Sequence, residues 1–221
     1  MKLFLILLLL ITPLSAKRLA KLIYYQAPPN APKEAFLYQH KAPPQQVELT
    51  RHNFSSSIPL GKGDQTLVFL PEALAPKAEI PSGAPRVKIP KEWNQVLLFL
   101  FHDPENQTLP FSVKAINAND NAFGPGDLLF LNYSDIIAYG SVGNKELNLK
   151  PKSREILSNP IAQKGAYNVN LNALHPETKK KNWLLKQSWV HLPDERCVVI
   201  ITPLKPPRTA KLYVAKITPF K

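Results

Sequence analysis

Proline punctuates this chain from end to end, 23 times in 221 residues, about twice the ordinary share. Each proline lacks an amide hydrogen and fixes φ at about −65°, so it ends or kinks a helix. Long helices therefore have little room. Between the prolines lie short runs of Val, Ile, Leu, Phe and Tyr, bordered by Gly, Pro, Asn or Asp. Their length and composition are those of β-strands.

Several runs alternate with period two, which sends one face to a core and the other to solvent. Phe111, Val113 and Ala115 alternate with Ser112 and Lys114, and Tyr167, Val169 and Leu171 with Asn168 and Asn170. Val96–Phe101 and Val198–Ile201 are apolar throughout, as expected of strands covered on both faces. Gly143-Asn144 stands between two such runs and predicts a tight hairpin. Gly61-Lys-Gly-Asp64 before Gln65–Leu70 is echoed by Gly124-Pro-Gly-Asp127 before Leu128–Leu131. This hints at two similar modules, although glycine and aspartate suit any turn that starts a strand.

The first sixteen residues, MKLFLILLLLITPLSA, order a cation, an apolar run, a proline and small residues as a secretory signal peptide does. The apolar run Leu3–Ile11 covers about half of a hydrocarbon core, which needs about 20 residues. Cleavage is expected after Ala16, with Leu14 departing from the small residue usual at the −3 position. No cysteine lies nearby for a lipoprotein anchor, and no later apolar stretch reaches membrane length, so no transmembrane span is expected after cleavage. Removing Lys2 with the leader takes the formal net charge from +12 to +11. The single cysteine, Cys197, cannot form an intramolecular disulfide, so packing must stabilise the fold, and a bacterial periplasm or outer surface fits better than a disulfide-rich eukaryotic exterior. Its apolar surroundings, Val198–Ile201, read as core, where a thiol is inert. The domain expectation is a signal peptide over 1–16, a first β module over 17–70, a Pro-rich linker over 71–90 and a second β module over 91–221.

Three stretches, Phe101–Asn106, Phe123–Ser134 and Leu147–Ile156, together resemble uncharacterised exported bacterial proteins built of tandem immunoglobulin-like or transthyretin-like sandwiches. The resemblance implies a structural pattern and no activity. The expected fold is all-β, with one or two antiparallel, immunoglobulin-like β-sandwich modules and little helix outside the leader.

Chemistry is sparse. The five histidines show no metal-ligand spacing. His102-Asp103-Pro104-Glu105 and His191 with Asp194 and Glu195 place polar residues beside strands, as turns do. Ser55-Ser56-Ser57 and Cys197 lie outside any G-x-S-x-G elbow, and no P-loop or dinucleotide fingerprint is present. No catalytic residue, metal or cofactor is predicted. The remaining lead is charge: Lys150, Lys152 and Arg154, Lys179, Lys180 and Lys181, and Lys205 and Arg208 would attract a polyanion if they shared a face. Strand aromatics such as Tyr24, Tyr25, Phe36, Tyr38, Trp183 and Trp189 could line a sugar-stacking face or serve as core. The expectation is a non-enzymatic envelope protein that contacts an anionic envelope polymer, a lipid surface or another envelope protein, with no nucleic-acid partner. The alternative is an envelope-polymer hydrolase with a spatially assembled His/Asp or Ser site.

Overall fold

The computed structural model describes residues 17–40, 42–75, 77–203, 210–217 and 219–220; the expected leader, 1–16, lies outside them. The regular structure of the described residues is all strand, arranged in four four-stranded sheets. The first eight strands are β1 (Leu19–Tyr25), β2 (Glu34–Tyr38), β3 (Gln45–Glu48), β4 (Ile58–Pro59), β5 (Gln65–Leu70), β6 (Arg86–Ile89), β7 (Gln95–His102) and β8 (Phe111–Asn117). They form two sheets, ordered β4-β1-β7-β8 and β3-β2-β5-β6. The next eight are β9 (Leu128–Asn132), β10 (Ile137–Val142), β11 (Lys145–Leu149), β12 (Arg154–Leu157), β13 (Gly165–Leu174), β14 (Lys181–His191), β15 (Arg196–Pro203) and β16 (Ala210–Ile217). Their sheets, β12-β9-β15-β16 and β11-β10-β13-β14, repeat the first two orders shifted by eight strands. Even the parallel pairs correspond, β1 with β7 and β9 with β15. The chain therefore folds one topology twice.

This moves the expected boundaries. Residues 71–90 are not a linker, because they contain β6, which pairs with β5 from Gln65↔Ile89 to Val68↔Arg86. The prolines flank that strand rather than interrupt its ladder, where a missing amide would cost a bond. The passage between modules is instead residues 118–127. The glycine echo is not the trace of the repeat either: it precedes β5 and β9, whose topological counterparts are β13 and β1. Its second copy is a local turn, in which the Asp127 carboxylate accepts the Gly124 amide at 2.8 Å. The Gly143-Asn144 hairpin forms as expected, with Val142 paired to Lys145. Gly143 has φ +58°, and a Cβ there would stand 2.5 Å from the Pro160 carbonyl oxygen.

Side-chain parity explains the packing. Ala20, Leu22 and Tyr24 of β1 and Val96, Leu98 and Leu100 of β7 face Leu37, Leu67 and Phe69 across the first sandwich. In the second, Leu128, Phe130, Val199 and Ile201 face Ala138, Val142, Val169 and Leu171. The opposite parity, Ile23, Tyr25, Leu97 and Phe99, meets Leu129, Leu131, Val198 and Ile200 in a third core. The two sandwiches are thus stacked back to back, four sheets deep. That stack is why β1, β7, β9 and β15 are apolar on both faces: each lies between a core of its own sandwich and the core shared with the other.

Two buried guanidiniums tie down the ends of these central strands. Arg18, just before β1, donates to the carbonyls of Gly61, Gly63, Pro90 and Trp93 at 2.5–3.0 Å. Arg196, at the start of β15, reaches across the junction to Gln95 Oε1 at 2.9 Å, to the Ala118 carbonyl and to the Asp120 carboxylate. Its Cζ lies 6.0 Å from the Phe123 ring centroid and 5.7 Å from that of Phe220, within reach of a cation–π contact.

Burial also holds the phenols of Tyr24, Tyr25, Tyr133, Tyr167 and Tyr213 above the ordinary tyrosine pKa. The folded state keeps these protons more tightly than the unfolded chain. The stability they contribute is therefore full below about pH 10, the unfolded phenol value, and is lost as pH climbs through the folded values. In an alkaline titration, tyrosinate absorbance should rise together with loss of the β-sheet circular dichroism signal. Full tyrosinate formation with that signal intact would contradict the burial.

Candidate functional site

The edge strands β8 and β12 stand side by side where the two sandwiches meet, and a groove of about 380 Å³ opens between them. Lys114 projects from β8, Tyr133 follows β9, and Lys152 and Arg154 come from the turn and strand of β12; all four line the groove. The Lys114 ammonium sits 4.7 Å from the Tyr133 ring centroid and 5.5 Å from that of Phe101, whose electron-rich faces hold a cation. Lys152 donates to the Tyr133 carbonyl at 2.7 Å and pairs with Asp135 at 3.0 Å. Arg154 has no ion pair among the described residues, and its charge opposes the rise that burial gives the Tyr133 phenol.

The position of these cations is set by a buried amide. Asn132 is 1% exposed; its Nδ2 donates to the carbonyls of Ile136 and Lys150 at 2.8 and 2.9 Å, and its Oδ1 accepts the Ser134 amide at 3.0 Å. It ties the end of β9 to the β11–β12 turn from which Lys152 and Arg154 rise. Three cations against one carboxylate, beside two aromatic rings, suit an anionic oxygen group such as a phosphate or carboxylate.

The eight cations predicted from sequence do not share one groove. Lys152 and Arg154 line the junction cleft, where β8 supplies Lys114, a residue the sequence reading placed only on a solvated strand face. Lys150 is exposed in the same turn but outside the lining. Lys179 and Lys180 are exposed in the β13–β14 turn, and Lys181 lines a different groove on the outer face of the β11-β10-β13-β14 sheet. Lys205 and Arg208 lie outside the described residues. A further basic groove, of about 700 Å³, is lined by Lys17, Arg18, Lys62 and Lys91. There Arg18 is spent on four carbonyls, and the charges of Asp64 and Glu92 oppose the fall that burial imposes on its pKa.

The groups considered for hydrolysis have structural partners instead. Ser55 is buried, its Oγ accepting the Leu22 amide at 3.0 Å and donating to the Ser56 carbonyl at 2.8 Å. His102 is exposed with Nδ1 3.1 Å from the Pro110 carbonyl, and Asp103 accepts the Glu105 amide at 3.3 Å, which is the geometry of a turn. Burial pushes the Cys197 thiol up to about 11, so it is protonated at neutral pH. His191 is buried with Nε2 unpartnered among the described residues, while Glu195 pairs with Lys216 at 2.8 Å. No group of three His, Cys, Asp or Glu side chains able to hold a metal ion occurs among the described residues.

No protein-family model matches the chain, and no curated protein matches its sequence.

Proposed function

We propose that this is an exported, non-enzymatic protein of the bacterial envelope whose junction cleft binds an anionic group carried by a surface polymer or lipid. The observation that carries the reading is the meeting of Lys114, Lys152 and Arg154 in one cleft, fed by both sandwiches, so that the stacked repeat itself builds the site. The leader-like residues 1–16 and the net positive charge support the location and the sign of the ligand. A basic surface near anionic lipid gains about 1 kcal/mol for each lysine or arginine. Removing three such charges should weaken binding by roughly a hundred-fold.

The test is cosedimentation with phosphatidylglycerol vesicles and competition by soluble polyglycerol phosphate, using the mature chain and the K114A/K152A/R154A variant. Wild type should bind in low salt and release as salt rises, because charge attraction is screened over about 10 Å at 0.1 M. The variant should lose most of this binding while unfolding at the same temperature. Equal binding by the variant, or binding that ignores salt, would refute the cleft.

A further inference from the structure

The outer face of the β11-β10-β13-β14 sheet carries ordered rows of polar and aromatic side chains. Register places Asn148, Tyr139, Asn172 and Trp183 in one row across the four strands. The next row is Glu146, Ser141, Asn170 and Lys186. The intervening residues Ala138, Val142, Leu147, Val169, Leu171 and Ala173 are buried in the sandwich core, so both rows face outward. Along β13 that face reads Asn168, Asn170, Asn172. Asn148, Asn168 and Asn172 spend their side-chain amides on no other described residue, and Asn170 makes one long contact, 3.5 Å, to Ser141 Oγ.

Trp183 stands at the end of the first row with 70% of its surface exposed. A bulge puts it there. Leu171 pairs with Leu185 and Asn172 with Trp183, leaving Leu184 as the extra residue. In an unbroken register Leu184 would pair with Asn172 and Trp183 with Ala173, on the core side, because a one-residue slip exchanges the two faces of a strand. The bulge turns a large indole from core to solvent, and an open groove of about 490 Å³ beside it is lined by Tyr139, Glu146, Asn148, Leu174 and Lys181.

We infer that this face is a second binding site, independent of the junction cleft, and that its ligand is an acidic polysaccharide. A pyranose ring offers a flat C–H face that stacks on indole or phenol. Its hydroxyls both donate and accept, as a primary amide does. Lys181 and Lys186 on the face and Lys179 and Lys180 in the adjoining turn outnumber Glu146 on the face and Glu177 in that turn, so the charge complement is a sugar acid. The headgroups of a fluid lipid surface hold no fixed spacing to match a row of amides set by strand register, whereas the hydroxyls of a polysaccharide repeat do.

Titration of the mature chain with sodium alginate, a polyuronate, tests this, with dextran as the neutral glycan and phosphatidylglycerol vesicles as the lipid. Alginate should bind and alter tryptophan emission; dextran should bind more weakly. Trp183→Ala should weaken alginate binding by about tenfold or more with an unchanged melting temperature, since the side chain is solvent-exposed. Asn172→Ala should weaken it by several-fold, and K181A/K186A should flatten its salt dependence. K114A/K152A/R154A should keep the change in tryptophan emission and the Trp183-dependent part of alginate binding, which separates this site from the cleft. The inference is overturned if alginate does not bind, if W183A and N172A both bind it as wild type does, if the cleft variant alone loses it, or if Trp183 is needed for vesicles and not for alginate.

Discussion

Truncating Phe99 to alanine is expected to lower the free energy of unfolding by about 3–5 kcal/mol, a loss of the same order as truncating its neighbour Leu98. The two residues point to opposite faces of β7. Leu98 lies in the core of the first sandwich, and Phe99 lies in the core shared by the two sandwiches; neither is exposed to solvent. Phe99 packs edge-on against Phe54 at 5.4 Å and stacks near Phe101 at 6.3 Å. Deleting its ring forfeits the transfer energy and leaves a cavity that flanking β-strands cannot collapse to fill. The comparison is diagnostic of the stack. If the sandwiches were independent beads on a string, Phe99 would face solvent, and the substitution would fall within about 0.5 kcal/mol. Urea unfolding of wild type, F99A and L98A measures all three, and a near-neutral F99A would refute the back-to-back arrangement.

Parity along the strands carried much of the fold into the sequence, because a buried face and a wet face demand different side chains at every second position. Ser112 and Lys114 against Phe111 and Val113, and the Asn168-Asn170 pair against Tyr167, Val169 and Leu171, mark the faces correctly. The doubly apolar runs Val96–Phe101 and Val198–Ile201 announce two covers without saying what the second one is. That cover is a copy of the same sheet eight strands away, a non-local partner that no window of sequence contains. Proline density over 71–90 excludes a helix, but it cannot separate a loop that leaves a sheet from one that returns to it after the four-residue strand Arg86–Ile89. Lys114 was legible as solvent-facing and illegible as part of a cleft, since the cleft exists only where β8 meets β12. Trp183 shows the same limit in its sharpest form. Six positions separate it from Trp189, so strict alternation would put both indoles on one face. The bulge at Leu184 sends Trp189 toward Tyr167, 6.3 Å away in the core, and Trp183 out to solvent.

Replacing Arg196 with leucine should cost about 2–4 kcal/mol, although leucine is the better residue for an apolar strand. The guanidinium is buried, with 8% of its side chain exposed, and burial pulls its pKa down while the charge of Asp120 pushes it back up; arginine stays charged through both. Its work is done mainly on neutral acceptors. Gln95 belongs to the first sandwich, Ala118 opens the passage that leaves it, and Arg196 belongs to the second. With leucine in place the Ala118 carbonyl and the Gln95 amide lose a charged donor, and a buried acceptor left unmatched costs about 1–3 kcal/mol. The cation–π contacts with Phe123 and Phe220 are lost as well. The Asp120 carboxylate contributes much less, because 67% of its side chain is exposed and water screens the pair. Asp120→Asn should therefore cost under about 1 kcal/mol, and that small loss should shrink further in 1 M salt, whereas the R196L loss should persist. Denaturant unfolding of both variants in low and high salt separates the two contributions. If D120N were as damaging as R196L, the ion pair rather than the buried carbonyl contacts would hold the sandwiches at this end of the junction.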